Sequence, residues 1–451
     1  MFVSLVRCST MPRQNIYLLI ILITSAVLRF ALVLSAWSEP KRYFTPDSYD
    51  YNTLAHSLLE DGRFVQADSP EIFRTPGYPA FLAGIYALTG NSIHAVIIVQ
   101  AFLDLLLCYL VYRLGKLLFS GAVGLVAAAI QAISPVMIAY CCRILSETLF
   151  AFLIISMLLL LLNKGANQQV KLIFPAGVIM GIACLVRPVG LIAAIIIVIF
   201  LLVARRFRSA IVFAVASAMI IMPWLARNYF KTGYRGLAGV ADYNLFYYNA
   251  RALMQGDRSI VVSSIAKRLI EENPIREGFP PDYARLNNPA FLSLCRSEGA
   301  KIICRQPGRY LQVHLRGMRN IFLPAATDVL EIAGLTTGKK GTLKVIRQAG
   351  LWAGVKHYFA ERETWSTDVH RDFFGVFPTI VDFEQVWSRE RVIKGGLVTT
   401  NPEEAVRAAD FRRLLEHRLH FSPVKTPAYP GIDFINILSW FIYILLFLNR
   451  P

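Results

Sequence analysis

Side chains with a clear chemical use lie between the first two hydrophobic runs of the chain, in residues 46–82. Asp47 follows a proline at the start of a predicted helix, and Arg74 opens the stretch RTPGYP. Two prolines and a glycine make that stretch a stiff turn. A fixed carboxylate can accept a proton, and a fixed guanidinium can hold a phosphate. The segment therefore predicts chemistry on a phosphate-bearing substrate, with Tyr78 of the turn as a further binding residue.

The helix that starts at Asp47 is predicted to be short and amphipathic. Its apolar residues recur at helical spacing and form one face: Tyr51, Leu54, Ala55, Leu58 and Leu59. Gly62 follows as a C-terminal stop, so the helix is too short to span a bilayer and is expected to lie in the membrane interface. Two roles for Asp47 stay open here, because aspartate is also a favoured N-cap and could simply begin the helix.

The composition is that of an α-helical polytopic membrane protein. Of 451 residues, 55% are hydrophobic and only 17% are charged, which excludes an ordinary soluble globular chain. A spanning helix needs about 20 mainly apolar residues. We predict about eight, at 15–37, 92–112, 117–142, 147–162, 172–186, 189–204, 209–225 and 432–448. The third is interrupted by Ser134-Pro135 and is expected to be a span followed by a short re-entrant piece.

Basic residues orient these spans. Cytoplasmic loops collect Lys and Arg, and the basic residues near the spans fall in alternate loops: Arg7, Arg13, Arg113, Lys116, Lys164, Lys171, Arg205, Arg206, Arg208 and Arg450. Both termini are therefore predicted to be cytoplasmic. Residues 1–225 would form a transmembrane module with an outer loop at 38–91, residues 226–431 a largely α-helical extracytoplasmic domain, and residues 432–451 a final span.

Three more charged residues are predicted at the extracytoplasmic ends of spans. Glu147 opens the fourth span, Arg187 precedes a proline between the fifth and sixth spans, and Arg227 follows the seventh. Together with Asp47 and Arg74 of the outer loop, these three residues would lie at one membrane face. Each arginine could instead be a snorkelling anchor, and Glu147 could pair with Arg143 one helical turn earlier.

Five stretches together resemble the membrane half of GT-C glycosyltransferases: PDSYDYNTLAHSLLEDGRF, RTPGYPAFLA, SETLF, LVRPVGL and PWLARNYFKTG. Their order and spacing, within residues 15–233, are similar to the branch of dolichyl-phosphate-mannose protein mannosyltransferases and the bacterial lipid A aminoarabinose transferase. The resemblance implies an enzyme that transfers a sugar from a polyprenyl-phosphate donor to an acceptor on the outer side, with inversion. The sugar stays open, as does the choice among a lipid, a polysaccharide and a protein as acceptor.

The resemblance also implies roles for single residues. Asp47 matches the acidic residue after the first span, taken as the general base or as the group that orients the acceptor. The resemblance places Arg74 and Arg187 near the donor phosphate. The predicted positions of Arg227, Glu147 and Tyr78 on the same side of the membrane make them further candidates for substrate binding. Relatives usually continue with further spans after the outer domain, whereas this chain ends soon after the predicted last span, so it is expected to be a short variant or a truncated one.

No clear metal site is visible in the sequence. Some GT-C relatives hold a metal through a carboxylate and a histidine, but the candidates near Asp47 are limited to Asp50, His56 and Glu71. The seven cysteines have no metal-type spacing. A divalent cation therefore stays open, without a clear ligand set.

Two pairs of residues have partners that the sequence leaves open. Arg29 and Asp104 are predicted inside the first and second spans, where charge is costly and usually paired or functional. Their expected depths differ by roughly 9 Å, so Arg29 could pair with Asp104 or reach toward the donor phosphate or Asp47. Cys295 and Cys304 lie in the predicted outer domain, where an oxidising environment would permit a disulfide between them.

The predicted outer domain is basic, with 30 Lys and Arg against 20 Asp and Glu in residues 226–431. Such a surface suits lipid phosphates or other polyanions, although an ordinary Arg-rich surface would look the same, and nucleic acid is not expected as a partner. The chain has no Asn-x-Ser/Thr acceptor, which favours a bacterial or archaeal plasma membrane. The rival function is a secondary transporter or flippase for an anionic lipid or lipid-linked sugar.

Overall fold

The computed structural model describes residues 13–162, 169–255, 263–275 and 281–321. Their contacts divide them into two units. The first contains the described residues of 1–43 and 88–222, and the second contains those of 44–87 and 223–451. The predicted last span at 432–448 and the later part of the predicted outer domain lie outside the described residues.

Helices make up most of the described residues of both units. The first ten are α1 (Arg13–Ser35), α2 (Pro46–Glu60), α3 (Gly77–Thr89), α4 (Ile93–Leu118), α5 (Gly121–Ile133), α6 (Pro135–Cys141), α7 (Glu147–Leu162), α8 (Gln169–Val186), α9 (Gly190–Val203) and α10 (Phe207–Thr232). They are followed by α11 (Gly239–Asn244), α12 (Arg251–Gln255), α13 (Ser264–Glu271), α14 (Tyr283–Leu286), α15 (Pro289–Arg305) and α16 (Pro307–Ile321). A π-helix, Leu245–Ala250, lies between α11 and α12. The strands β1 (Val65–Gln66) and β2 (Ser69–Pro70) form an antiparallel hairpin.

The apolar helices coincide with the predicted spans up to residue 225. α1, α4 and α10 are each long and apolar enough to cross a membrane. α5 and α6 pass the same test together but are bent by 60° at the predicted Ser134-Pro135 interruption. α7, α8 and α9 are apolar but shorter than a full span. The described residues therefore confirm a helical membrane protein, whereas the predicted count of eight spans is not confirmed.

Small residues let the helices of the first unit pack closely. Gly115 of α4 faces α5, and a Cβ built on it would lie 2.8 Å from the Cα of Gly124. A Cβ on Gly177 of α8 would lie 2.7 Å from the carbonyl oxygen of Phe213 in α10. Close backbone approach through glycine is a common means of helix association in lipid, where no hydrophobic force drives helices together.

A buried ion pair joins α1 to α4. Arg29 and Asp104 are 0% and 1% exposed, and the Arg29 Nε donates to the Asp104 carboxylate. Gln131 of α5 donates its amide N–H to the other carboxylate oxygen at 3.1 Å. The pairing that the sequence left open is thus formed, because the long arginine side chain reaches across to α4. The expectation that Arg29 could reach the donor phosphate is not supported.

The same arginine caps the broken end of α5. Its Nη atoms donate to the carbonyl oxygens of Ala132 at 2.7 Å and Gln131 at 3.1 Å. In a continuous helix these carbonyls would accept from residues 135 and 136, but Pro135 has no N–H and begins α6. An unsatisfied carbonyl in lipid costs several kcal/mol. Arg29 therefore stabilises the bend between α5 and α6.

Aromatic side chains form the core of the second unit. The Tyr243 ring stacks on Tyr247 with centroids 4.3 Å apart and meets the edge of Phe73 at 5.7 Å. A Cβ on Gly299 of α15 would lie 3.1 Å from the carbonyl of Leu245, which shows how closely α15 packs on the π-helix. The loop predicted at 38–91 thus shares a core with residues predicted to form the outer domain.

Cys295 and Cys304 do not form the disulfide that the sequence left open. Both are free thiols on α15, with Cys295 buried and Cys304 exposed. The rise of an α-helix separates residues nine positions apart by about 13 Å, whereas the Cα atoms of a disulfide lie within about 7 Å of each other.

Replacing Asp104 with Asn is expected to destabilise the first unit strongly, because the buried Arg29 charge loses its counter-ion. The expected loss of unfolding free energy is roughly 3–5 kcal/mol, measured by thermal unfolding of the full chain in detergent. Glu39→Gln is the control, since Glu39 pairs with Arg42 at an exposed site and should cost less than about 1 kcal/mol. Equal losses in the two variants would contradict a stabilising role for the buried pair.

Candidate active site

α2 places Asp47 and Asp50 one turn apart, so both acids lie on one face of the helix. The helix begins at Pro46, with Thr45 as its N-cap. Ser48 Oγ accepts the backbone N–H of Thr45 at 2.9 Å. The predicted start of the helix at Asp47 is therefore wrong by one residue, because proline suits the first helical position. The capping role left open for Asp47 belongs to its neighbours.

Arg74 lies between the two carboxylates. Its Nη2 donates to Asp47 Oδ1 and to Asp50 Oδ2, both at 2.7 Å, and its Nε donates to Asp50 Oδ2 at 3.0 Å. The exposed fraction of the side chain rises from 8% at Asp50 to 12% at Arg74 and 52% at Asp47. Within the described part of the chain, Asp47 Oδ2 has no hydrogen-bond partner. Arg74 thus binds Asp47 Oδ1 and leaves Oδ2 open to accept a hydrogen bond from a ligand.

Aromatic rings and a buried acid fix Arg74. The guanidinium carbon lies 5.3 Å from the ring centroid of Tyr51 and 5.2 Å from that of Phe73, within cation–π range. The backbone N–H of Arg74 donates to Glu71 Oε1 at 2.6 Å. Backbone and guanidinium are therefore held at separate points, which leaves the arginine little rotational freedom.

Residues far along the chain complete this network. Tyr283 of α14 donates its hydroxyl to Asp50 Oδ1, across 233 positions of sequence. Asn287 donates its Nδ2 to Glu71 Oε2 at 2.9 Å, and its Oδ1 accepts two backbone N–H groups of the loop that carries Arg74, at 3.0 and 3.1 Å. Neither Tyr283 nor Asn287 is predicted from the sequence, because no local pattern marks a contact over such a separation.

Burial shifts the acids of this network. It raises the pKa of Glu71 to about 7, although the N–H donors of Asn287 and Arg74 act in the opposite direction. Burial also raises the pKa of Asp50, against the lowering effect of Arg74. The pKa of Arg74 itself is raised in spite of burial, because Asp47 and Asp50 favour the charged guanidinium. The arginine therefore stays charged, while Glu71 titrates near neutrality.

Arg227 clamps the β1–β2 hairpin. Its Nη1 donates to the carbonyl oxygen of Glu71 at 2.5 Å, and its Nη2 donates to that of Phe64 at 2.7 Å. The guanidinium carbon also lies 4.8 Å from the ring centroid of Trp224. Because these donors serve backbone on both sides of the hairpin, the arrangement favours a structural role for Arg227 over the expected contact with a phosphate.

Tyr78 lies inside the second unit. Its side chain is 0% exposed, and its ring meets the edge of the Tyr51 ring at 4.9 Å. A fully buried ring has no surface to offer a substrate, so the expected substrate contact is not supported. Tyr78 instead packs the start of α3 against α2.

Glu147 and Arg187 form an ion pair in the first unit. Arg187 Nη1 lies 2.6 Å from Glu147 Oε1 and donates to Ser146 Oγ at 3.0 Å. Both side chains are about one third exposed, at 30% for Glu147 and 34% for Arg187. That these residues share one membrane face with Asp47 stays a prediction.

No three His, Cys, Asp or Glu side chains of the described ranges are grouped so that they could hold a metal ion. The candidates named from the sequence have other contacts. Asp50 and Glu71 belong to the network around Arg74, and His56 Nδ1 lies 3.2 Å from Glu60 Oε1. The divalent cation that the sequence left open thus has no ligand set in this part of the chain.

Residues 68–226 match the family model described as dolichyl-phosphate-mannose-protein mannosyltransferase. The resemblance to GT-C mannosyltransferases is confirmed. The matched stretch is about a third of the chain, and it contains Arg74, Glu147 and Arg187 but begins after Asp47. No curated protein matches the chain.

Solved structures of one archaeal enzyme also match. The oligosaccharyltransferase of Archaeoglobus fulgidus in its apo form is 15% identical, with a TM-score of 0.42, over 92% of this chain and 61% of that chain. AglB from the same organism, in complex with an inhibitory peptide and a dolichol-phosphate, is also 15% identical, with a TM-score of 0.42, over 93% of this chain. The chain thus spans 61% of the length of that relative.

Replacing Tyr283 with Phe should destabilise the second unit by about 2 kcal/mol, because a buried hydroxyl that donates to a carboxylate is lost. The matched control is Tyr247→Phe. Tyr247 is equally buried, but its hydroxyl donates to the neutral carbonyl of Leu269 at 2.6 Å, so its loss should cost about 1 kcal/mol. Thermal unfolding in detergent measures both. If Tyr283→Phe lowers the free energy of unfolding by no more than Tyr247→Phe does, the hydrogen bond from Tyr283 to the Asp50 carboxylate is no stronger than one to a neutral carbonyl.

Stability of the second unit should fall as the pH rises from about 5 to 8. Burial raises the pKa of Glu71 from 4.5 to about 7, so the folded state binds more protons than the unfolded state in this range. The stabilising contribution is full below the unfolded pKa and is lost as the pH passes the folded one, by roughly 3 kcal/mol at most. Thermal unfolding midpoints across this range should show the slope in the wild type and a smaller slope in Glu71→Gln.

The exposed Asp61 provides the comparison. Asp61→Asn should keep the full slope, because no buried carboxyl is changed. A Glu71→Gln variant with the wild-type slope would show that the pH dependence arises elsewhere.

Proposed function

We propose that the chain is a GT-C glycosyltransferase that moves a sugar from a polyprenyl-phosphate donor to an acceptor at the extracytoplasmic membrane face. The match of residues 68–226 to a mannosyltransferase family supports the class. The observation that carries the proposal is the half-exposed Asp47, which has one oxygen bound by the largely buried Arg74 and the other oxygen open. The acceptor is a lipid, a polysaccharide or a protein.

Asp47 is proposed to act as the general base, or to orient the acceptor for attack. The acceptor oxygen attacks the anomeric carbon from the side opposite the phosphate. A new bond between that oxygen and the anomeric carbon forms while the bond from carbon to phosphate oxygen breaks. The acceptor proton passes to the open oxygen of Asp47, and the polyprenyl phosphate leaves with the bonding electrons. Such a displacement inverts the anomeric centre.

Arg74 and Asp50 are proposed as positioning residues. A general base works only if its oxygen lies within hydrogen-bond reach of the proton that it removes, and small displacements cost much rate. Arg74 fixes Asp47 through a 2.7 Å contact, and Asp50 fixes Arg74 through two more. This revises the role expected for Arg74, whose charge is shared between two carboxylates and is therefore poorly suited to a phosphate.

Arg187 is the arginine best suited to the donor phosphate. A phosphate prefers an accessible guanidinium that can present several N–H groups in a fixed plane. Arg187 is 34% exposed, whereas Arg74 is 12% exposed. Glu147 is proposed to orient Arg187 through their 2.6 Å contact rather than to touch substrate.

The setting is proposed to be a multi-pass protein of a bacterial or archaeal plasma membrane, with both termini in the cytoplasm. The alternation of basic loops supports this orientation. The partners would then be membrane lipids, the lipid-linked sugar donor and an acceptor of the cell envelope.

Asp47→Asn is expected to lower transfer by about 10²- to 10⁴-fold, because the amide keeps the size of the side chain but cannot take a proton. The full chain is reconstituted in liposomes with a radiolabelled polyprenyl-phosphate sugar and envelope membranes as the acceptor source. Transfer is followed as label that leaves the donor lipid. Stability should change by less than about 1 kcal/mol, because the lost ion pair is half exposed.

Asp68→Asn is the control, since Asp68 is exposed on the hairpin turn of the same unit. Its transfer rate should match that of the wild type. Near wild-type transfer by Asp47→Asn would remove the catalytic role of Asp47. Movement of the labelled lipid across the liposome membrane without any transfer would favour the transporter or flippase.

A further inference from the structure

An exposed tyrosine on the π-helix, Tyr248, differs from the tyrosines in the core of the second unit. Five of those in its core donate their hydroxyls within the protein: Tyr234 to Asp242, Tyr243 to Asn273, Tyr247 to the Leu269 carbonyl, Tyr283 to Asp50 and Tyr310 to Asn249. Tyr248 is 48% exposed, and its hydroxyl has no hydrogen-bond partner in the described ranges. Its ring and its hydroxyl are both available to a ligand.

The π-helix holds Tyr248 in this position. Its neighbour Tyr247 is 6% exposed and packs in the aromatic core, so adjacent positions of one turn point one ring inward and the other outward. The Tyr248 ring meets the edge of the Tyr243 ring at 6.3 Å. Single π-helical turns are frequent at functional sites, where the extra residue redirects side chains.

Ring contacts connect Tyr248 to the candidate active site. Tyr243, which supports Tyr248, meets Phe73 at 5.7 Å, and Phe73 lies under the guanidinium of Arg74 at 5.2 Å. The charges of the site also reach the phenol. Burial of the covered half of the side chain raises the pKa of Tyr248, Asp47 raises it further, and Arg74 lowers it. The open face of Tyr248 and the open oxygen of Asp47 therefore belong to one region of the second unit.

We propose that Tyr248 is a binding residue for the sugar of the donor, with its ring against the C–H face of the sugar and its hydroxyl bonded to a sugar oxygen. The inference rests on the proposed function. A hydroxyl held by Asp47 must approach the anomeric carbon to about 3–3.5 Å, so the sugar lies within about one ring width of that acid. A flat apolar ring with one polar tip suits a sugar, which offers C–H groups on its face and hydroxyls at its rim.

The test compares two ligands in the same membrane. The full chain in lipid nanodiscs is titrated with polyprenyl phosphate and with polyprenyl-phosphate mannose or arabinose, and binding is measured by native mass spectrometry. The wild type should bind at least one sugar-bearing lipid more tightly than the bare lipid phosphate. Tyr248→Leu should reduce this preference roughly tenfold, because the ring is lost, without changing affinity for the bare lipid. Tyr248→Phe should reduce it only about threefold, because the ring remains.

Tyr229→Leu is the matched control. Tyr229 is 47% exposed in the same unit, but its ring contacts are with Phe230 and Arg235. It should keep the wild-type preference. The proposal is overturned if Tyr248→Leu also keeps that preference, if it weakens both ligands equally, or if the wild type shows no preference for either sugar. None of these outcomes depends on turnover, so failure here is distinct from failure of Asp47-dependent transfer.

Discussion

A single guanidinium, buried between two carboxylates, is the interaction on which the candidate site depends. Arg74 contacts Asp50 on its buried side and Asp47 on its exposed side. Removing an arginine from water is costly unless charge and hydrogen bonds replace the lost hydration. Two carboxylates and two aromatic rings supply that replacement here. The arginine can therefore be rigid, and a rigid arginine can hold a half-exposed acid in one orientation.

The residues that hold Arg74 come from two distant parts of the sequence. The loop before α3 supplies the arginine and Glu71, and the segment around α14 supplies Tyr283 and Asn287. Asn287 satisfies Glu71 and two backbone N–H groups at once. The segment after residue 226 is thus part of the site's support, and not a separate domain attached to a finished catalytic module.

The sequence was informative where short-range patterns carry the signal. Hydropathy located the apolar helices up to residue 225, and the proline and aspartate at 46 and 47 located α2 to within one residue. The sequence could not show which side chains contact each other in the folded protein. Arg74 opens a stiff turn and Arg227 follows an apolar span, which made both look like phosphate ligands, yet their side chains donate to carboxylates and backbone carbonyls. Tyr78 was predicted as a binding residue of the turn and is fully buried. Such outcomes depend on tertiary packing between residues that lie far apart along the chain.

The N–H groups that an arginine already uses within the protein limit how well it can bind a phosphate. A guanidinium has one charge and five N–H groups, so each internal contact reduces what it can offer to a ligand. Arg29 forms an ion pair with Asp104 and donates to two backbone carbonyls at the end of α5. Arg227 donates to backbone carbonyls on both sides of the hairpin, and Arg74 forms ion pairs with Asp47 and Asp50. Arg187 also pairs with Glu147 and donates to Ser146, but its side chain is 34% exposed. Arg29, Arg74 and Arg227 of the described residues thus serve contacts within the protein, which is why the proposed phosphate ligand is the more exposed Arg187.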